Sequence, residues 1–147
     1  MILIMKIKII SWNINMFNPE KPELKEKIIT EINKQVTDED IIVLIESTFE
    51  FVNDLLKTEL KKNYSLLNGF ALSHGGFINI LYNKNIDSSD INKVEIPIEN
   101  PTLLIRFVKE NTTFYLAGCH LAPFPQNGQT RIEELLVVRT MVPEDEH

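Results

Sequence analysis

The stretch Asp40-Ile41-Ile42-Val43-Leu44-Ile45-Glu46-Ser47 constrains this chain more than any other. Ile41 to Ile45 is continuously aliphatic, so an extended segment there needs apolar cover on both faces. Such a strand belongs inside a layered α/β domain, not on a half-solvated sheet. The run then ends on a carboxylate. A charge at the end of a buried strand must reach water or meet a cation. Glu46 therefore faces solvent, caps the next helix, or holds a metal ion.

Two other stretches share this design. Lys8-Ile9-Ile10-Ser11-Trp12-Asn13-Ile14-Asn15 is an apolar run closing on Asn13, and Phe114-Tyr115-Leu116-Ala117-Gly118-Cys119-His120 closes on His120. Strand ends of an α/β sheet gather along one edge, where ligands bind. Asn13 is either a turn former or a side-chain oxygen for Mg²⁺ and a donor for phosphate. His120 is either hydrogen-bonded structure or a general acid and phosphate ligand, since its ordinary pKa lies near neutrality. Arg131 falls in the first turn of an expected helix, where a cation opposes the helix dipole. That misfit points to an anionic partner unless the side chain is simply exposed. Trp12 reads as core. Cys119 and His120 are strand neighbours and point to opposite faces, so they form no nucleophile pair. His74-Gly75-Gly76 reads as a loop and lacks the Walker spacing of a phosphate loop.

The remaining pattern gives the elements. Ile2 to Trp12 reads as a strand, and Leu24, Ile28 and Ile32 set a helix over 23–35, with Pro22 suited to its first turn. Ser47 and Glu50 form a capping box that opens a helix to about Leu60, with Phe51, Leu55, Leu56 and Leu60 on its apolar face. Strands are expected at Tyr64 to Phe70, Phe77 to Tyr82 and Val94 to Ile98. Leu103 to Val108 and Thr113 to His120 make a hairpin whose turn suits Asn111. Thr130 and Glu133 form a second capping box for a helix to about Met141. The fold class is α/β, with a mixed, mostly antiparallel sheet flanked by helices. Residues 1–142 read as a single domain and 143–147 as an acidic tail.

Bulk properties narrow the function. A net charge of −6 with no Lys/Arg-rich block excludes a passive nucleic-acid binder held by overall charge. Cys119 is the only cysteine, so no intrachain disulfide framework exists and a reducing compartment is favoured. The apolar start Met1 to Met5 lacks the flanks of a signal peptide, and no apolar run is long enough to cross a membrane. A cytoplasmic or other intracellular setting is the expectation.

Taken in order, these segments resemble the endonuclease/exonuclease/phosphatase superfamily, which includes pancreatic deoxyribonuclease, tyrosyl-DNA phosphodiesterases and inositol-phosphate phosphatases. Asn13 matches the Asn of the family's first strand, and Glu46 its metal-binding Glu. Gly76-Phe77-Ile78-Asn79-Ile80-Leu81-Tyr82 looks like its Gly-led apolar strand. Ala117-Gly118-Cys119-His120 looks like the strand that ends on the catalytic His, and Arg131 matches an Arg that opens the following helix. The resemblance implies part of a four-layer α/β sandwich and a Mg²⁺-dependent phosphoesterase or nuclease, with Mn²⁺ as the substitute ion. Glu46 and Asn13 would hold the metal. His120, Glu46 and Asn13 would be catalytic, and His120, Arg131 and Asn13 would contact a phosphate-ester substrate, nucleic acid included.

The family's Gly-Asp-x-Asn strand and closing Ser-Asp-His are absent, so about half of its pseudo-symmetric sandwich is expected here. From this follow weak or no activity for these 147 residues alone, an uncovered sheet face, and a homodimer or completing second chain. The alternative is a non-catalytic remnant that binds phosphate or a protein partner.

Overall fold

The computed structural model describes residues 6–14, 22–67, 71–73, 76–94 and 102–119, together with Leu136, Arg139 and Val142. Strands β1 (Ile9–Asn13) and β2 (Ile41–Ser47) run parallel, with α1 (Pro22–Gln35) between them in sequence. α2 (Phe49–Leu55) follows β2 directly, and a short 3₁₀ turn spans Glu59–Lys62. β3 (Tyr64–Leu66) and β4 (Ala71–Ser73) both pair antiparallel with β5 (Gly76–Asn83), which is also antiparallel to β2. This five-stranded sheet has the order β1-β2-β5-β3, with β4 beside β5. β6 (Ile91–Val94), β7 (Thr102–Lys109) and β8 (Thr112–Cys119) form a second, antiparallel sheet of three strands.

The continuous apolar run of β2 is explained by what covers it. Ile42 and Leu44 face α1 and α2 and join Ile29, Ile32, Phe51, Val52 and Leu55 in one core. Ile41 and Val43 face the other way and meet Ile78, Ile80, Leu103, Ile105 and Phe107 in a second core between the sheets. The layers are helices, sheet, sheet. β8 approaches so closely that a Cβ at Gly118 would lie 3.1 Å from Ile78 Cγ2 and 3.2 Å from Val43 Cγ1. The strand's last inward position thus needs a residue without a side chain. At the far end of the sandwich, Lys109 Nζ donates to both carboxylate oxygens of Asp40, at 3.0 and 2.9 Å, and to the Lys6 carbonyl at 2.9 Å.

Several expectations need correction. The expected uncovered sheet face is covered: β6–β8 pack onto it from within the same chain. The helix after β2 is capped by Thr48, whose hydroxyl accepts from Phe51 N at 3.1 Å, and not by Ser47. It ends at Leu55, and the tighter turn over Glu59–Lys62 brings Leu60 into the core instead. Of the first strand expected from Ile2, residues 6–8 are not in the ladder, which begins at Ile9, and Met1 to Met5 lie outside the described residues. A strand over Ile91–Val94 pairs with β7, and residues 95–98 of the strand expected from Val94 lie outside the described residues. The β7–β8 hairpin turns as expected at Glu110 and Asn111, with φ of 50° and 63°, the left-handed pair that a two-residue hairpin loop uses. The loop at His74-Gly75 and all but isolated residues of the helix expected over 130–141 lie outside the described residues.

Candidate functional site

β1 and β2 bring Asn13 and Glu46 together. Asn13 is in register with Ile45, and Ile14 N donates to the Ile45 carbonyl at 2.8 Å. The two candidate donors therefore end adjacent parallel strands, one register step apart. Asn13 is exposed and Glu46 half-buried. His120 and Arg131 lie outside the described residues. β8, which leads toward His120 in sequence, lays Gly118 on Val43, within the same β2 that carries Glu46.

Glu46 interrupts the regular ladder of β2. Its φ is +54°, in the left-handed region, and the β2–β5 register shifts between Leu44 and Ser47. This is a β-bulge, and a non-Gly residue in that region costs about 1–2 kcal/mol. The local pattern explains it. Unbroken alternation would place Glu46 on Leu44's face, against the apolar side of α2. With the extra residue Ser47 takes the inward place, fully buried, and the carboxylate leaves the helix-facing row.

Ser47 is held there by Asn79. Asn79 is the cross-strand partner of Leu44 and is only 1% exposed. Its Nδ2 donates to Ser47 Oγ at 2.8 Å, and that hydroxyl donates to the Leu44 carbonyl at 3.0 Å. Asn79 Oδ1 is buried and has no hydrogen-bond partner among the described residues, a condition that costs roughly 1–3 kcal/mol. The sequence carried a sign of this pair: Asn79 interrupts the otherwise apolar Phe77 to Leu81. Neither Ser47 nor Asn79 was a sequence candidate for the site.

Beyond the bulge, α2 is locked onto α1. Lys25 Nζ lies 2.6 Å from Asp54 and 3.1 Å from Glu50. The hydrogen bond from Lys25, with a second from Lys57, holds the Asp54 carboxyl below its ordinary range, and the bonds to Asp54 and Glu50 raise Lys25. Among the described residues no group of three or more His, Cys, Asp or Glu could hold a metal ion, and no helix is long and apolar enough to cross a membrane.

No protein-family model matches this sequence, and no curated protein matches it. Solved structures do. A D. rerio TDP2 complexed with single strand DNA product superposes with a TM-score of 0.68 at 20% identity, covering 95% of this chain and 56% of that one. A humanized D. rerio TDP2 carrying 14 mutations gives 0.66 at 20% identity, covering 94% and 56%. Truncated Caenorhabditis elegans TDP2 gives 0.66 at 15% identity, covering 93% and 57%. The chain spans little more than half the length of these structures. The likeness is one of fold: over the part it covers, this chain shares the α/β sandwich of these TDP2 structures.

Proposed function

We propose that this chain forms part of a Mg²⁺-dependent phosphoester hydrolase that acts on phosphodiesters, with single-stranded DNA the first substrate to try. The observation that carries the reading is the bulge that sets Glu46 beside Asn13 at the ends of β1 and β2. It is supported by the shared fold, one instance of which is a complex with single strand DNA product. The donors fit the ion. Mg²⁺ prefers oxygen ligands and commonly takes only one or two protein carboxylates, keeping several waters. Glu46 would supply the carboxylate and Asn13 an amide oxygen. When bound, the ion would offset charge developing on phosphate oxygens. His120 and Arg131 are assigned to those oxygens, His120 as hydrogen-bond or proton donor. A chain of net charge −6 needs such local cations to accept a polyanion.

The sequence supplies no Asp-x-Asn pair after a Gly and no Ser-Asp-His string to orient and activate water. Positioning and base catalysis are large terms, so turnover by these residues alone is expected to be weak. The second reading is a non-catalytic domain that binds phosphate or a protein partner. The deciding experiment is hydrolysis of labelled single-stranded DNA with Mg²⁺, wild type against Glu46→Gln. Cleavage that requires both Mg²⁺ and Glu46 establishes the hydrolase. DNA binding by a folded sample without cleavage means a fragment of the hydrolase or a non-catalytic remnant.

A further inference from the structure

We infer that Asn79 is a positioning residue for Glu46: acting through the Ser47 hydroxyl, its amide holds the bulge from which Glu46 presents its carboxylate. The consequence for metal binding rests on the reading of Glu46 as a metal ligand.

The geometry is a short chain of hydrogen bonds. Asn79 Nδ2 donates to Ser47 Oγ, and Ser47 Oγ donates to the Leu44 carbonyl. The second bond runs from the residue after Glu46 to the residue two before it, so it closes a loop around the bulge. Glu46 sits inside that loop with a φ of +54°. A left-handed Glu persists only where its surroundings over-determine it. Ser47 alone is a weak constraint, because a hydroxyl rotates freely to suit its partners. The donor from Asn79 occupies a lone pair of that oxygen and so directs its proton to Leu44.

The cost side of Asn79 points the same way. It sits at a helix-facing position among apolar residues, and its Oδ1 is buried without a hydrogen-bond partner among the described residues. A Leu of similar size would leave no polar atom stranded there. What the amide supplies and Leu cannot is the bond to Ser47.

The test uses Asn79→Leu, Ser47→Ala, their double variant, Ser47→Thr and Glu46→Gln in the full chain. Two quantities are read: the Glu46 and Ser47 backbone resonances, including the intraresidue HN–Hα contact that marks a left-handed residue, and Mn²⁺ affinity. Asn79→Leu and Ser47→Ala are each expected to move the Glu46 resonances and weaken Mn²⁺ binding by about 10- to 100-fold, the range for lost outer-shell partners of a metal ligand. The double variant is expected to be no worse than either single one, and Ser47→Thr to keep wild-type behaviour. Unmoved Glu46 resonances in Asn79→Leu and Ser47→Ala overturn the inference, as do losses that multiply in the double variant. If Asn79→Leu does not fold, the contrast of Ser47→Ala with Ser47→Thr decides by the same two readouts. Mn²⁺ bound equally by wild type and Glu46→Gln overturns the metal reading alone, because the resonances still judge the coupling.

Discussion

Glu46 shows how a single residue can be set against its own backbone preference. Its left-handed φ opposes the sterics of a Cβ, and glycine is the residue that meets that conformation without cost. Glu46→Gly is therefore expected to stabilise the fold by roughly 0.5–1 kcal/mol, after the larger unfolded-state entropy of glycine is set against the relief of strain. Urea unfolding measures the gain. Gly118 is the opposite case. An added methyl would press on Ile78 and Val43, which are 1% and 3% exposed. Gly118→Ala is expected to destabilise by about 1–3 kcal/mol, the usual cost of overpacking, seen as a lower urea midpoint with an unchanged slope.

At the scale of elements, local chemistry chose between neighbouring hydroxyls. Ser47 and Glu50 have capping-box spacing, yet Ser47 is drawn into the sheet by Asn79, and Thr48 caps α2. Thr48→Ala is expected to cost about 1 kcal/mol in thermal or urea unfolding. The strand β3 offers a pH-dependent case. Tyr64 is buried, its hydroxyl donates to the Glu39 carbonyl at 2.8 Å, and burial, reinforced by the Glu39 charge, pushes its pKa up to about 12 from 10.0. A phenol that ionises less readily folded than unfolded contributes stability that is complete below pH 10 and is lost as pH rises toward 12. Unfolding followed across that window should show a steeper fall for wild type than for Tyr64→Phe.

For the whole molecule, the decisive event is the docking of the β6–β8 sheet on the β1–β5 sheet. Asp40 ties both together. Its carboxylate accepts from Lys109 Nζ on β7 and from Lys8 N, its N–H donates to the Lys8 carbonyl, and its carbonyl accepts from Asn83 N on β5. The Lys109–Asp40 pair is largely shielded, with side chains 27% and 13% exposed. Asp40→Ala is expected to cost about 1.5–3 kcal/mol, the usual value of hydrogen bonds to a charged group. The loss should shift the denaturant midpoint, and amide exchange in the β7–β8 hairpin should quicken with it.

Much of this was legible in order along the chain. The aliphatic run Ile41 to Ile45 required a two-sided strand, the spacing of Leu24, Ile28 and Ile32 set α1, Asn111 marked the hairpin, and the order of the segments pointed to an α/β sandwich. Each of these rests on periodicity or on a residue's own conformational preference, which neighbours in sequence suffice to express. The shift of φ at Glu46, the diversion of Ser47 from capping to the Asn79 bond, and the covering of β2 by β8 rest on contacts between segments 32 or more positions apart, as in the Asn79–Ser47 bond itself. Such contacts depend on register and on which faces meet, and the pattern of one strand read alone carries neither. The sequence thus determined that β1 closes on Asn13 and that β2 is covered on both faces, while the tertiary structure decided how the backbone turns at Glu46.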